Sequence, residues 1–197
     1  MNVGGGVRAS PTVSRSGMAI VGGMDGRAYG YSWINGEAIW NTSRLGRYII
    51  SKATFSSNES LVYFTTPSIG NNSKAFLYGL ETDTGDVVLK TNLTLNSMNP
   101  TSTYSSPTMY NQSRVLIVAA GDTLYSIQLQ SIASVTEPKE PFCSPCTGDI
   151  LWKLQYKNQK LLSSVVIRGN VAYFTNANKK EVVAINADTG TECWRQY

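Results

Sequence analysis

The stretch DTGTECW, residues 188–194, places a turn of Asp, Thr and Gly before a short run that ends in tryptophan. The stretches NGEAIW, DTGDVVL and CTGDILW earlier in the chain have the same form. A glycine turn followed by apolar residues indicates a tight connection into a β-strand. In all four stretches a large apolar residue lies four positions after the glycine. The pairs are Gly36 and Trp40, Gly85 and Leu89, Gly148 and Trp152, and Gly190 and Trp194.

The spacing of these motifs indicates a repeat protein. Sequence of β type that repeats every ~40–50 residues is typical of propeller blades. Three further strand-like segments with alternating apolar residues precede each motif, and polar turns separate them. We therefore predict an all-β fold of four four-stranded antiparallel blades. The predicted blades cover residues 10–42, 52–92, 105–155 and 161–197, and the third carries an insertion at 131–147.

The last unit, AINADTGTECW, resembles the docking motif of PQQ-like (quinoprotein alcohol dehydrogenase-like) propeller repeats. In that family the motif is Ala-x-Asp-x-x-x-Gly-x-x-x-Trp. Ala184, Gly190 and Trp194 match it, whereas Asn186 stands in place of the aspartate. The resemblance implies that residues 1–197 are a single PQQ-like segment of a larger propeller with seven or eight blades.

The same resemblance implies a structural role for the repeated motif. In the family the glycine makes the turn, and the tryptophan packs against the neighbouring blade. Leu89 takes the place of tryptophan in the second unit, so we expect a smaller contact there. We expect the three tryptophans of the motif to be buried packing residues, with ligand stacking as the alternative.

Composition excludes several kinds of site. The chain has no histidine, which removes Ser-His-Asp and Cys-His catalysis and histidine-based metal sites. Its net charge is +4, only 15% of residues are charged, and the basic residues are scattered. We therefore expect no nucleic-acid partner. No run approaches the ~18 apolar residues of a transmembrane helix, so we expect no membrane span.

The family resemblance raises the possibility of a quinone-dependent dehydrogenase. Such enzymes have a bound metal, an acidic base and a disulfide between adjacent cysteines under the quinone. The cysteines here, Cys143, Cys146 and Cys193, are not adjacent. We therefore predict no catalytic residue, no cofactor and no metal site. The favoured function is a non-catalytic scaffold or protein-interaction module, and the alternative is a fragment of a PQQ-dependent dehydrogenase whose active site lies in other blades.

Cys143 and Cys146 form a C-x-x-C pair within the proline-containing insertion of the third unit. A disulfide that stiffens this loop and two reduced thiols are both compatible with the sequence, depending on the compartment. Cys193 lies directly before Trp194, and we expect it to be a small buried apolar residue.

Asparagine-linked glycosylation motifs suggest a compartment. Several of them lie in the predicted turns, where a glycan can be accommodated. We predict an extracellular or secretory-luminal protein, with a cytoplasmic protein as the alternative. The candidate asparagines are Asn58, Asn71 and Asn111 in turns, and Asn41 and Asn92 after the last strands of blades 1 and 2.

The predicted ends of the repeat array raise the question of what covers them. The first unit starts with its own first strand and the fourth ends with its own last strand, so no blade is shared between the two ends. We expect an open half-ring that leaves apolar faces on blades 1 and 4, and such faces are typical of partner surfaces. The expected partners are further blades, a second copy of the chain or another protein.

Overall fold

The computed structural model describes residues 3–69, 74–94, 105–110, 114–129, 147–157, 159, 161 and 163–197. The regular elements within these ranges are sixteen β-strands. They form four antiparallel sheets of four strands, and neighbouring strands in each sheet are consecutive in the chain. We call the sheets blades 1 to 4. The predicted fold class, all-β with four four-stranded antiparallel propeller blades, is confirmed.

The strands are short, as expected for segments of alternating sequence between polar turns. Blade 1 contains β1 (Thr12–Val13), β2 (Met18–Gly22), β3 (Ala28–Ser32) and β4 (Ala38–Asn41). Blade 2 contains β5 (Thr54–Phe55), β6 (Leu61–Pro67), β7 (Lys74–Glu81) and β8 (Val87–Thr94). Blade 3 contains β9 (Thr108–Tyr110), β10 (Val115–Ala120), β11 (Thr123–Gln128) and β12 (Asp149–Gln155). Blade 4 contains β13 (Val166–Arg168), β14 (Val171–Asn176), β15 (Glu181–Asn186) and β16 (Glu192–Gln196).

The insertion predicted at 131–147 lies, apart from Thr147, outside the described residues. The observed strands of blade 3 flank it, because β11 ends at Gln128 and β12 begins at Asp149.

The described residues form three hydrophobic core clusters, and each lies between two consecutive blades. Both faces of an inner blade are therefore covered, and its second strand needs no polar face. The sequence VLIVAA of β10 shows this, because all six of its residues are buried. The clusters include Ile20 and Phe64 from blades 1 and 2, Leu77 and Val118 from blades 2 and 3, and Ile117 and Phe174 from blades 3 and 4.

Each blade has an irregularity at the same place, where the third strand pairs with the fourth. A small residue of the third strand lies opposite the large motif residue, and the residue before the large one has no partner in the register. A Cβ on Gly30 would overlap the Trp40 ring, so the ring crosses the third strand only because that position is small. The opposed pairs are Gly30 and Trp40, Gly79 and Leu89, Ser126 and Trp152, and Ala184 and Trp194.

Candidate functional site

The contact between blades 1 and 2 joins a tryptophan to a glycine turn. Trp40 of blade 1 is buried, and its Nε1–H donates to the carbonyl oxygen of Thr82 in blade 2 at 2.9 Å. A Cβ on Gly85 would lie 2.6 Å from the Trp40 ring, and this glycine also has φ of +77°. Glycine therefore serves both the turn conformation and the close approach of the ring.

The contact between blades 3 and 4 has the same construction. Trp152 is half-buried, and its Nε1–H donates to the carbonyl oxygen of Ala187 at 3.0 Å. A Cβ on Gly190 would lie 2.8 Å from the Trp152 ring, and Gly190 has φ of +72°. In both contacts the accepting carbonyl lies three residues before the glycine. Each of these two blade contacts is therefore a tryptophan that lies on the next blade's turn and donates one hydrogen bond to it.

The contact between blades 2 and 3 is different. Leu89 is buried but has no side-chain N–H to donate, and the backbone N–H of Gly148 instead donates to Oγ1 of Thr91 at 2.8 Å. The motif predicts a turn at Gly148 like those at the other motif glycines, but Gly148 does not have their positive φ. A Cβ there would lie 2.6 Å from Cγ2 of Ile127. Close packing, and not turn geometry, therefore requires glycine at this position.

A second repeated contact joins the first strands of neighbouring blades. In blades 1 to 3 a threonine hydroxyl donates to a backbone carbonyl of the next blade, with Oγ1–O distances of 2.5–2.8 Å. Sequence reasoning missed this contact, although the threonine recurs in SPTV, KATF and SPTM. The pairs are Thr12 and Ala53, Thr54 and Pro107, and Thr108 and Val165.

Serine hydroxyls form a third repeated contact beside the threonines. The N–H of Lys52 donates to Oγ of Ser106 in the next blade at 3.0 Å. The N–H of Ser106 in turn donates to Oγ of Ser164 in blade 4 at 3.1 Å. The first strands are thus joined by polar contacts, while the last strands are joined mainly by rings.

The outer faces of blades 1 and 4 lack these contacts. Trp194, which the motif predicts to be buried, has an exposed fraction of 47%, because no described residue covers the far side of blade 4. Its ring contacts Tyr173 of the same blade, with 6.0 Å between ring centroids. Gly36 of blade 1 has the turn conformation, with φ of +72°, but nothing lies within 4 Å of where its Cβ would be. Ala184, the remaining motif residue, is buried opposite Trp194.

The expectation for Cys193 is wrong, because its side chain is exposed. Cys193 is the residue without a partner in the register of β16, between Glu192 and Trp194. The corresponding Ile39 and Leu151 of blades 1 and 3 are also about half exposed, at 51% and 50%. The candidate disulfide pair Cys143 and Cys146 lies outside the described residues.

Three of the candidate glycosylation sites lie in the described part of the chain, and all three are exposed. Asn58 lies in the turn between β5 and β6, where its Oδ1 accepts hydrogen bonds from the hydroxyls of Ser56 and Ser60. Asn41 is the last residue of β4, and Asn92 lies within β8, opposite Phe76. Asn71 and Asn111 lie outside the described residues.

A buried polar cluster where blade 4 meets the end of blade 3 is absent from the sequence predictions. Oε2 of Glu181 accepts a hydrogen bond from Nδ2 of Asn176 at 3.2 Å and lies 3.5 Å from Nη1 of Arg195. Oε1 of Glu181, Oδ1 of Asn176 and Oη of Tyr156 are buried and have no hydrogen-bond partner among the described residues, and each atom left unsatisfied costs ~1–3 kcal/mol. Burial, followed by the charge of Glu192, raises the pKa of Tyr156 to about 12. No periodic signal marks this cluster in the sequence, because its members come from the β14–β15 hairpin, from β16 and from the segment after β12.

The described residues show neither of two features that would point to another kind of site. Among them, no group of three or more histidine, cysteine, aspartate or glutamate side chains is arranged to hold a metal ion. No helix within the described ranges is long and apolar enough to cross a membrane.

Comparison with known proteins adds one finding about the fold. No family model matches the sequence, and no curated protein matches it. Among solved structures the chain is similar to BamB from Moraxella catarrhalis, with 12% sequence identity and a TM-score of 0.63. The similarity covers 100% of this chain and 63% of BamB. At this identity it shows the fold alone, and the chain is accordingly a β-propeller protein that spans less than two thirds of the length of BamB.

Proposed function

We propose that this chain is a PQQ-like propeller segment that acts as a non-catalytic scaffold or protein-interaction module in an extracellular or luminal assembly. The observation that carries the proposal is the exposure of large apolar side chains on the end blades. Eight such residues lie in blades 1 and 4, against three in blades 2 and 3, within the described part of the chain. Contiguous exposed apolar surface is typical of protein-protein contacts. The eight are Val13, Trp33, Ile34, Ile39, Val166, Val182, Trp194 and Tyr197.

The tryptophan contacts support the PQQ-like part of the proposal. The family motif requires a ring that packs on the neighbouring blade and a glycine that makes the turn. Trp152 and Gly190 meet across two blades in this way, as do Trp40 and Gly85. The outer faces of blades 1 and 4 are therefore surfaces of the same kind as those through which neighbouring blades contact each other.

A photo-crosslinking experiment tests the interaction function. A benzoylphenylalanine residue is placed in the native protein at Val13 of blade 1 or at Val166 of blade 4. The matched control is Ile69 of blade 2, because its exposed fraction of 54% is close to the 51% of Val13. We expect protein adducts from both end-face positions and none from the control. Absence of adducts at both end faces, or equal adducts at Ile69, contradicts the proposal.

The non-catalytic part has its own test. Purified protein is mixed with pyrroloquinoline quinone and calcium, dialysed, and examined by absorption spectroscopy. We expect no retained quinone. A stoichiometric bound quinone chromophore would instead favour a quinoprotein dehydrogenase.

Glycan mapping tests the proposed compartment. In material from the secretory pathway of a eukaryotic cell, we expect Asn58 to carry a glycan more often than Asn41 or Asn92. Asn58 lies in an exposed turn, whereas the other two belong to paired strands whose backbone is fixed. Peptide mapping after glycosidase treatment measures the occupancy of each site. Unmodified asparagine at Asn58, Asn71 and Asn111 in native material contradicts the luminal proposal.

A further inference from the structure

The charged residues of the described chain divide between the two ends of the blades. Neighbouring strands of a blade are antiparallel and consecutive in the chain, so successive connections alternate between the ends. One end, which we call the hairpin end, holds the turns between second and third strands and the segments that join blades. The other, the motif end, holds the turns between first and second strands and the glycine turns of the repeat motif.

The hairpin ends of neighbouring blades form one surface. In the segment between β4 and β5, the N–H of Leu45 donates to the carbonyl of Gly26 in the β2–β3 turn at 2.8 Å. Two residues later, the N–H of Arg47 donates to the carbonyl of Pro67, the last residue of β6, at 2.9 Å. The serine contacts described above lie at the same end and continue it into blades 3 and 4. Residues far apart in the sequence are therefore brought together at this end.

The hairpin end is basic, and the motif end is acidic. The described connections of the hairpin end, with the strand residues next to them, hold nine basic and three acidic residues, against three basic and eight acidic at the motif end. Two of the three acids at the hairpin end, Asp122 and Glu181, are buried. Cations that are scattered in the sequence thus share one surface. They are Arg8, Arg27, Arg44, Arg47, Lys52, Lys74, Lys157, Lys179 and Lys180.

Arginines concentrate where blade 1 meets blade 2. Arg27 follows the β2–β3 turn, and its Nη1–H donates to the carbonyl of Thr42 at 2.7 Å. Arg44 and Arg47 flank the buried pair 45–46, which packs on the β2–β3 turn, and both arginines are exposed. Three guanidinium groups thus lie around one blade joint.

These cations have little charge compensation within the described chain. Arg27 lies 3.9 Å from Oδ2 of Asp25. The ion pairs between described residues include none with Arg44, Arg47 or Lys74. Cations held close together repel one another, and an anionic partner relieves that repulsion. Arginine also presents paired N–H donors that fit the oxygen atoms of planar and tetrahedral anions. The joint therefore suits a ligand with several anionic groups.

The apolar residues of the hairpin end discriminate among polyanions. A protein interface needs an apolar core, base stacking needs exposed aromatic rings, and membrane binding needs a group of apolar side chains that enter the lipid. The exposed large apolar residues described at this end are single ones on four different segments. They are Val7, Ile69, Val166 and Tyr197. A hydrated, flexible polyanion therefore fits this surface better than a protein, a nucleic acid or a membrane.

We propose that the hairpin end binds an anionic polysaccharide that carries sulfate or carboxylate groups along its length. Arg27, Arg44 and Arg47 bind its anionic groups at the joint of blades 1 and 2. Lys179 and Lys180, in the exposed β14–β15 turn, bind the polymer further along. Such polymers occur in extracellular and luminal compartments, so the inference rests on the proposed function for that placement. Further blades would stack on the outer faces of the array and would leave the hairpin end open.

The test is the binding of fluorescein-labelled heparin to the full chain, followed by fluorescence anisotropy at physiological salt. We expect saturable binding that weakens as salt is added. The double substitution Arg44→Glu, Arg47→Glu reverses two exposed charges, and we expect it to raise the Kd about 10-fold or more. The pair Lys179→Glu, Lys180→Glu, on a different blade, should also raise the Kd. The pair Arg44→Lys, Arg47→Lys keeps the charge but loses the paired donors, and it should raise the Kd about 2- to 5-fold.

The pair Arg114→Glu, Arg168→Glu is the matched control. Both residues are exposed at the motif end, and the pair changes the net charge by the same amount. The eight residues of β7 separate the two ends by about 26 Å at ~3.3 Å per residue, well beyond the ~8 Å screening length. The control should therefore change the Kd by less than about 2-fold. Circular dichroism melts establish that every variant folds.

The outcomes separate this inference from its alternatives. Absence of heparin binding by the wild-type chain, or equal weakening by the control pair, overturns it. Tighter binding of an oligoglutamate peptide, a DNA duplex or phosphatidylserine vesicles through the same arginines overturns it as well. Failure of heparin binding, together with a glycan at Asn58 and protein adducts at Val13 and Val166, overturns this inference alone and leaves the proposed function standing.

Discussion

Replacement of Trp40 by alanine is expected to lower the free energy of unfolding by about 3–5 kcal/mol, as for other buried aromatic residues. Trp40 is buried between blades 1 and 2, in a cluster with Ile20, Val62 and Leu80. Its loss removes ring packing from both blades and leaves a cavity over Gly85. The carbonyl of Thr82 also loses its indole donor. Urea or guanidinium melts followed by circular dichroism measure the change.

Trp194→Ala is the internal comparison for this prediction. Its ring is 47% exposed, so the substitution removes less buried apolar area, and the packing that it takes away is mainly that of the indole against Tyr173. We expect a cost of about 1–2 kcal/mol. Equal destabilisation by the two substitutions would show that the far side of blade 4 is covered as well as the inner joints are.

The sequence is sufficient to predict the repeat, because the glycine of the turn and the large apolar side chain after it lie within five consecutive residues. Glycine followed four residues later by a large apolar residue appears wherever a blade ends, and the fold class follows from that spacing. The burial of Trp194 cannot be predicted from the motif, because it depends on a neighbouring blade that covers the ring. Trp194 occupies the same motif position as Trp40, but no further blade covers it in the described chain.

Register details explain two more departures from expectation. Cys193 is expected to be buried because a free cysteine usually behaves as a small apolar residue, but it is the residue of β16 without a partner in the register, and its side chain is exposed. Alignment of the motifs predicts a turn glycine at Gly148, but this residue packs against Ile127 and Thr91 without a positive φ. Neither residue type nor motif alignment reports a local interruption of the register, such as a bulge or a long connection before the strand.

Hydrogen bonds between groups far apart in the chain cannot be derived from local pattern. The hydrogen bond from Thr12 to Ala53 joins residues 41 positions apart, and that from Thr108 to Val165 spans 57. Each is explained only once the blades are stacked. The recurrence of threonine in three first strands is visible in the sequence, but its partner is a backbone carbonyl, which has no sequence signature.

Alkaline unfolding is the second large effect that we expect. Burial raises the pKa of Tyr63, Tyr125 and Tyr156 from the ordinary value of 10 to about 12. A phenol whose pKa is higher in the folded state contributes its full share of the free energy of unfolding below pH 10, and this contribution is lost as the pH rises through 12.

The size of the effect follows from the shifts in pKa. At about 1.4 kcal/mol per pKa unit, each ring contributes roughly 2–3 kcal/mol. The three together approach the ~5–15 kcal/mol of a typical domain. We therefore expect cooperative unfolding between pH 10 and 12, with the absorbance of tyrosinate and the loss of β-sheet circular dichroism changing together.

Tyr156→Phe separates this mechanism from general alkaline damage. Oη of Tyr156 is buried and has no hydrogen-bond partner in the part of the chain that the structure describes, so the substitution removes an unsatisfied group and should leave stability at neutral pH unchanged or slightly higher. It also removes one of the three phenols that must ionise in the interior, so the midpoint of alkaline unfolding should move to higher pH. Tyr197→Phe is the control, because that ring is 87% exposed and its loss should leave the midpoint where it is. Equal midpoints for wild type and Tyr156→Phe, or ionisation of all eleven tyrosines before any loss of sheet structure, would show that burial of these rings does not control the alkaline limit of the fold.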